Sequence, residues 1–100
     1  MSIIFNFKES FYIAKDLIED KTLSINAKFL FTILDEKCYI GNVKTIEMSN
    51  KEIMEELMIK SSSTLSKIKK ELIDNNYIEI EVRKNKVYYT PKFSYLRGDK

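Results

Sequence analysis

The sequence predicts one α+β domain made of three to four helices, a short strand and a C-terminal β-hairpin. Three observations predict it. A chain of 100 residues is long enough for one hydrophobic core and too short for two. Its first two thirds hold successive stretches with apolar residues at helical spacing. Its last third holds two alternating runs on either side of a basic turn, in "YIEIEVRKNKVYYTP". With 44% hydrophobic and 32% charged residues, the composition is that of a packed globular chain and unlike that of a disordered one.

The elements follow in order. "SIIFNF", Ser2 to Phe7, is apolar and β-prone, so residues 1–10 read as a short strand or an arm that pairs with a second copy. In "FYIAKDLIEDK", Ile13, Ala14, Leu17 and Ile18 fall at helical spacing and predict a first helix ending near Asp20. "LSINAKFLFTILDEKCYIG" is the clearest helix. Ser24 can cap it, and Ala27, Leu30, Phe31, Ile33, Leu34 and Cys38 share one face, with Lys28, Asp35 and Glu36 pointing elsewhere; Gly41 supplies the stop. "KTIEM" is then long enough for one strand.

"SNKEIMEELM" opens with Ser49 and Glu52 in the S-x-x-E arrangement, in which each side chain satisfies a backbone N–H near the other. A helix therefore starts near Asn50, with Ile53, Met54 and Leu57 inward and Glu52, Glu55 and Glu56 outward. After a brief turn over Met58 to Lys60, Ser61 can cap another helix whose inner face is Leu65, Ile68 and Leu72. Two short helices joined by such a turn form a helix-turn-helix. In "YIEIEV", Ile78, Ile80 and Val82 alternate with Glu79 and Glu81, and "VYYTP" repeats the pattern less cleanly. Between them lie Arg83, Lys84, Asn85 and Lys86, where Asn85 tolerates the positive φ of a tight turn. A hairpin directly after the second helix of a helix-turn-helix is a wing.

Charge is distributed unevenly. The net charge is only +2, but residues 1–57 hold seven Lys/Arg against ten Asp/Glu, and residues 58–100 hold ten against five. The positive field therefore lies on the last helix and the hairpin. The composition argues against enzymatic chemistry. The sequence has no histidine, which excludes Ser-His and Cys-His nucleophile systems and His-containing metal sites. The two glycines, Gly41 and Gly98, lie far apart and outside any phosphate-cradling motif. Adjacent carboxylates such as Glu19 with Asp20, or Asp35 with Glu36, read as solvated. Cys38 reads as a small core residue. Neither a cofactor nor a metal is expected, and the chain is not expected to be an enzyme. No apolar run approaches the roughly 20 residues of a membrane helix, and no signal segment is evident, so a cytoplasmic protein with no membrane association is expected. The lone cysteine agrees with a reducing compartment.

These residues resemble the winged helix-turn-helix DNA-binding domains. "LSINAKFLFTILDEK" resembles the leading helix of replication-initiator domains from plasmids and phages of low-GC Gram-positive bacteria. The likeness continues through a strand, the capped helix "SNKEIMEEL", a helix shaped like "SSSTLSKIKKEL" and a hairpin shaped like "NYIEIEVRKNKVYYTP", covering residues 11–93; residues 94–100 read as a basic tail. Many relatives carry glycine in the turn before the second helix and again before the first hairpin strand, where this chain has Ile59 and Asn76 nearby. Replication initiators also carry further domains. A winged helix of this length is similar to the small accessory factors of mobile elements, such as plasmid-partition centromere binders and the relaxosome accessory proteins of clostridial conjugative plasmids, the TcpK type.

The resemblance implies a double-stranded DNA partner at an origin of transfer, a centromere or a replication origin, together with other proteins of a replication, partition or transfer complex. The expected recognition helix presents Lys60, Ser62, Ser63, Ser66, Lys67, Lys69 and Lys70, and the expected wing presents Arg83, Lys84, Asn85 and Lys86. Their lysines are suited to phosphate contacts, and Arg83 to a narrow A·T-rich minor groove. A homodimer is expected, with Phe5, Phe7, Phe11, Phe93 and Tyr95 as its interface. Two alternatives stand beside this reading: a transcriptional regulator, and a winged-helix adaptor that binds proteins through the acidic face of the 50–57 helix.

Overall fold

The computed structural model describes residues 3–8 and 11–98, with backbone alone for 3–8 and 11–14. In chain order its elements are β1 (Ile3–Lys8), β2 (Phe11–Ala14), α1 (Lys15–Ile18), α2 (Ile25–Gly41), β3 (Ile46–Glu47), α3 (Asn50–Leu57), α4 (Ser62–Asp74), β4 (Ile78–Arg83) and β5 (Lys86–Pro91). β1 and β2 form a two-stranded antiparallel sheet, and the other sheet is antiparallel with strand order β3-β5-β4. The class is α+β, as the periodicities predict. No helix among the described residues is long and apolar enough to cross a membrane.

The first expected helix forms only in part, because its first four residues, Phe11–Ala14, are a strand. Phe11, Tyr12 and Ile13 favour extended backbone, and β1 offers them a ladder through Ile3↔Ala14, Phe5↔Ile13 and Lys8↔Phe11, interrupted by irregularities in register. The helix contracts to Lys15–Ile18. Ser24 caps α2 as expected, accepting from the Ala27 N–H at 3.3 Å. The stop is Asn42 rather than Gly41: Asn42 takes the left-handed conformation at φ 53° and donates its N–H to the Cys38 and Tyr39 carbonyls. Asparagine is among the few residues that enter this region at low cost.

The middle of α2, residues 27–36, is covered on nearly all sides. Leu30, Phe31 and Leu34 are fully buried, and so, nearly, are Lys28, Thr32, Asp35 and Glu36. This corrects the expectation that Lys28, Asp35 and Glu36 point away from the core. The physical reason is cover on several sides, because α1, β2, β3, α3, α4 and β5 all contact this helix. Lys28 donates from Nζ to the Ile18 carbonyl at 2.6 Å, which satisfies a C-terminal carbonyl of α1. Asp35 accepts from the backbone N–H groups of Tyr95 at 2.9 Å and Leu96 at 3.4 Å.

The C-terminal segment is therefore docked over residues 94–97 and is not a free tail. Ser94 and Tyr95 are buried. The Phe31 ring meets Tyr77, Phe93 and Tyr95 at centroid distances of 5.1, 5.2 and 5.9 Å, and Tyr77 donates its hydroxyl to the Asp20 carboxylate. Hydrogen bonds from Thr22, then that from Tyr77, hold Asp20 below the usual carboxylate value. Cys38 is a buried free thiol, as expected of a small core residue.

Candidate nucleic-acid interface

Three local devices shape the segment from Ser49 to Pro91 that carries the candidate residues. The first is the capping box. Ser49 accepts from the Glu52 N–H at 3.1 Å, and the Glu52 carboxylate accepts from the Ser49 N–H at 3.0 Å, fixing where α3 begins. These bonds also hold the Glu52 carboxyl below its ordinary pKa. The second device is the turn between α3 and α4. Its left-handed residue is Met58, at φ 58°, whose N–H reaches the Glu55 and Met54 carbonyls. A residue with a side chain costs about 1 to 2 kcal/mol there relative to glycine. The left-handed position of this turn is thus Met58, one residue before Ile59.

The third device is the hairpin. Arg83 pairs with Lys86, and the two residues between them, Lys84 and Asn85, both have positive φ, at 49° and 67°. That is the type I′ geometry whose twist matches the flanking strands. Asn85 and Asn76, the latter at φ 63°, adopt the left-handed conformations that their side chains favour. Along β4 the apolar alternation loses its burial: Ile78 is buried, Ile80 half-buried and Val82 67% exposed. The strand therefore leaves the core before the turn, and only its first apolar residue is fully anchored.

α4 starts at its expected cap, with the Ser61 hydroxyl accepting from the Thr64 N–H at 3.3 Å, and it buries Leu65, Ile68 and Leu72. Six of the seven helix candidates are exposed: Lys60, Ser62, Ser63, Ser66, Lys67 and Lys70. All four hairpin candidates, Arg83, Lys84, Asn85 and Lys86, are exposed as well. Lys69 differs. It is half-buried, donates from Nζ to Asn50 Oδ1 at 2.6 Å, and lies 5.2 Å from the centroid of the Tyr89 ring. Burial lowers its pKa from 10.5. Lys69, expected among the DNA-contacting residues of the helix, therefore ties α4 to the start of α3 and to β5. The Tyr89 ring beneath it is fully buried, and its burial pushes the phenol pKa up to about 12.

Two exposed cations already have partners. Lys70 pairs with Asp74 at 3.0 Å, and the Arg83 guanidinium lies 4.2 Å over the Tyr88 ring, with Nε 3.4 Å from Glu81. The stacking holds the guanidinium against β5 at the base of the hairpin tip. Asn50, Tyr88 and Tyr89 were absent from the sequence-derived set. The alternation in "VYYTP" places Tyr88 and Tyr89 on opposite faces of β5, which would have found one half-buried and one fully buried ring.

Of the expected dimer residues, Phe93 is half-buried and Tyr95 buried against Phe31 inside the protomer, so these two complete the core. The side chains of Phe5, Phe7 and Phe11 lie outside the described residues. No protein-family model, curated protein or solved structure matches this chain.

Proposed function

We propose that this chain is a winged helix-turn-helix protein that binds double-stranded DNA as an accessory factor of a mobile element, at a specific site such as an origin of transfer, a centromere or a replication origin. One observation carries the reading. A capped helix with a serine and lysine outer face leads, within a few residues, into a β4–β5 hairpin whose tip is Arg83, Lys84, Asn85 and Lys86, and Lys69 packs the helix onto the sheet that bears the tip. The serines and lysines of α4 suit a major groove, and the tip suits an adjacent phosphate track or minor groove. The assignment to mobile elements rests on the sequence resemblance.

Phosphate contacts come from Lys60, Lys67, Lys70, Lys84 and Lys86, with Lys69 in a supporting role. Each neutralised phosphate adds about −0.9 to the slope of log K against log salt, so a slope of about −4 to −5 is expected. Fluorescence anisotropy on a mixed-sequence duplex across a salt series measures it, and a slope near zero overturns the proposal. Within the same series, Lys67→Ala lowers the slope by about 0.9, whereas Lys69→Ala leaves it unchanged.

Sequence reading falls to Arg83 at least as much as to α4. The α4 face offers serine and lysine, which discriminate bases weakly, whereas Arg83 is pre-positioned on Tyr88 and suits a narrow A·T-rich minor groove. Selection of bound fragments from the source replicon supplies a cognate duplex. Arg83→Ala then reduces the ratio of cognate to scrambled affinity, and Lys70→Ala weakens both alike. The reverse pattern rejects reading by the wing.

A further inference from the structure

Beside the buried Ile53 of α3, Lys51, Met54 and Glu55 form a stripe that Met58, the left-handed residue just past the helix, extends; Met54 is half-buried and packs partly against the core. Met54, Met58 and Ile59 line one shallow concavity there, whose rim is Lys51, Glu55 and Lys60. Met58 is 89% exposed, the highest value among the large apolar side chains of the described residues. It also occupies the left-handed position of the turn, which disfavours any residue with a side chain. A lone exposed apolar residue means little, but here Met58 adjoins Met54 and Ile59 in one concavity beside a lysine and a glutamate, and flexible thioethers adapt readily to a partner. Among the described residues, Lys51 and Glu55 engage in no ion pair, although they stand four residues apart.

We infer that this stripe is a two-fold interface at which α3 packs antiparallel against α3 of a second copy of the chain. Charge decides the occupant. In an antiparallel pair with its two-fold axis midway between positions 51 and 55, each Lys51 lies level with the partner's Glu55. An isologous contact brings the same patch to itself, so it requires this kind of self-complementarity. At the helix rise of 1.5 Å per residue, the two Met54 side chains meet beside the axis, and Met58 with Ile59 extends the apolar contact outward. A two-fold pair of helix-turn-helices also presents two α4 helices, the arrangement that reads a symmetric site, but the α3 contact needs no DNA to form.

The test is free of DNA, so its outcome is separate from that of the proposed function. Sedimentation velocity of the full chain at tens of micromolar is expected to show a species of twice the 11.8 kDa chain mass. Lys51→Glu and Glu55→Lys each place like charges at both symmetric contacts and are expected to weaken dimerisation by about tenfold or more. The double variant Lys51→Glu/Glu55→Lys restores it, and an equimolar mixture of the two single variants pairs as a heterodimer. These positions are exposed, and far-UV circular dichroism verifies that each variant is folded. A wild-type chain that stays monomeric overturns the inference. So does a dimer insensitive to both single swaps, or a double variant that remains weakened.

Discussion

α2 and α4 both carry lysines and carboxylates among apolar residues, yet the structure treats them in opposite ways. α4 buries one stripe, Leu65, Ile68 and Leu72, and leaves Ser62, Ser63, Ser66, Lys67 and Lys70 in solvent. α2 buries three of its four charges together with its central aliphatics: Lys28, Asp35 and Glu36 are each at most 8% exposed. The difference teaches that a charged residue on an amphipathic pattern faces water only if nothing covers that side. α4 is covered on one side, whereas α2 runs through the middle of the molecule and its charges serve as fixed partners for the segments around it.

The largest effect expected of this comparison comes from the aromatic side of α2. Phe31→Ala removes the ring that Tyr77, Phe93 and Tyr95 surround and should cost about 3 to 5 kcal/mol in chemical denaturation. A cost under about 1 kcal/mol would mean that the C-terminal segment does not pack on α2.

Asp35→Ala is expected to cost about 1 to 3 kcal/mol, because the N–H groups of Tyr95 and Leu96 lose their acceptor. Its pH dependence has a definite sign. Burial raises the Asp35 pKa above 3.8, against the opposing effect of its hydrogen bonds and of Arg97. The folded state therefore binds a proton that the unfolded state releases, and this contribution to stability is present below the unfolded pKa and declines as pH rises through the folded one. The stability difference between wild type and Asp35→Ala should shrink over that interval. A difference that grows with pH there would show that the hydrogen bonds outweigh burial.

Within α4 the comparison sharpens to neighbouring lysines. Lys69→Met should cost about 1 kcal/mol through its bond to Asn50, and a double-mutant cycle with Asn50→Ala should return coupling of similar size. Lys67→Met should change stability by less than about 0.5 kcal/mol. The smallest effect belongs to Lys70→Ala. Its pairing with Asp74 spans side chains that are 76% and 55% exposed, so the loss should be within about 0.5 kcal/mol and vanish in high salt. Equal costs at positions 67 and 69 would place Lys69 back on the solvent face.

What the sequence determined by itself was local. Ser24, Ser49 and Ser61 cap the helices they were expected to cap, Asn76 and Asn85 take the left-handed positions, and the alternation of β4 and β5 sets the hairpin, because each of these depends on residues within a turn or two of the backbone. The exposed members of the candidate surface were legible for the same reason, since α4 buries one stripe and its period assigns the other side to solvent. Only the tertiary structure decided the rest. Whether Phe11 to Ala14 would be strand or helix depended on β1 as a pairing partner. Whether Asp35, Lys69, Phe93 and Tyr95 would face water or protein depended on the segments laid across them. Burial is a property of what arrives from elsewhere in the chain, and periodicity within one element carries no record of it.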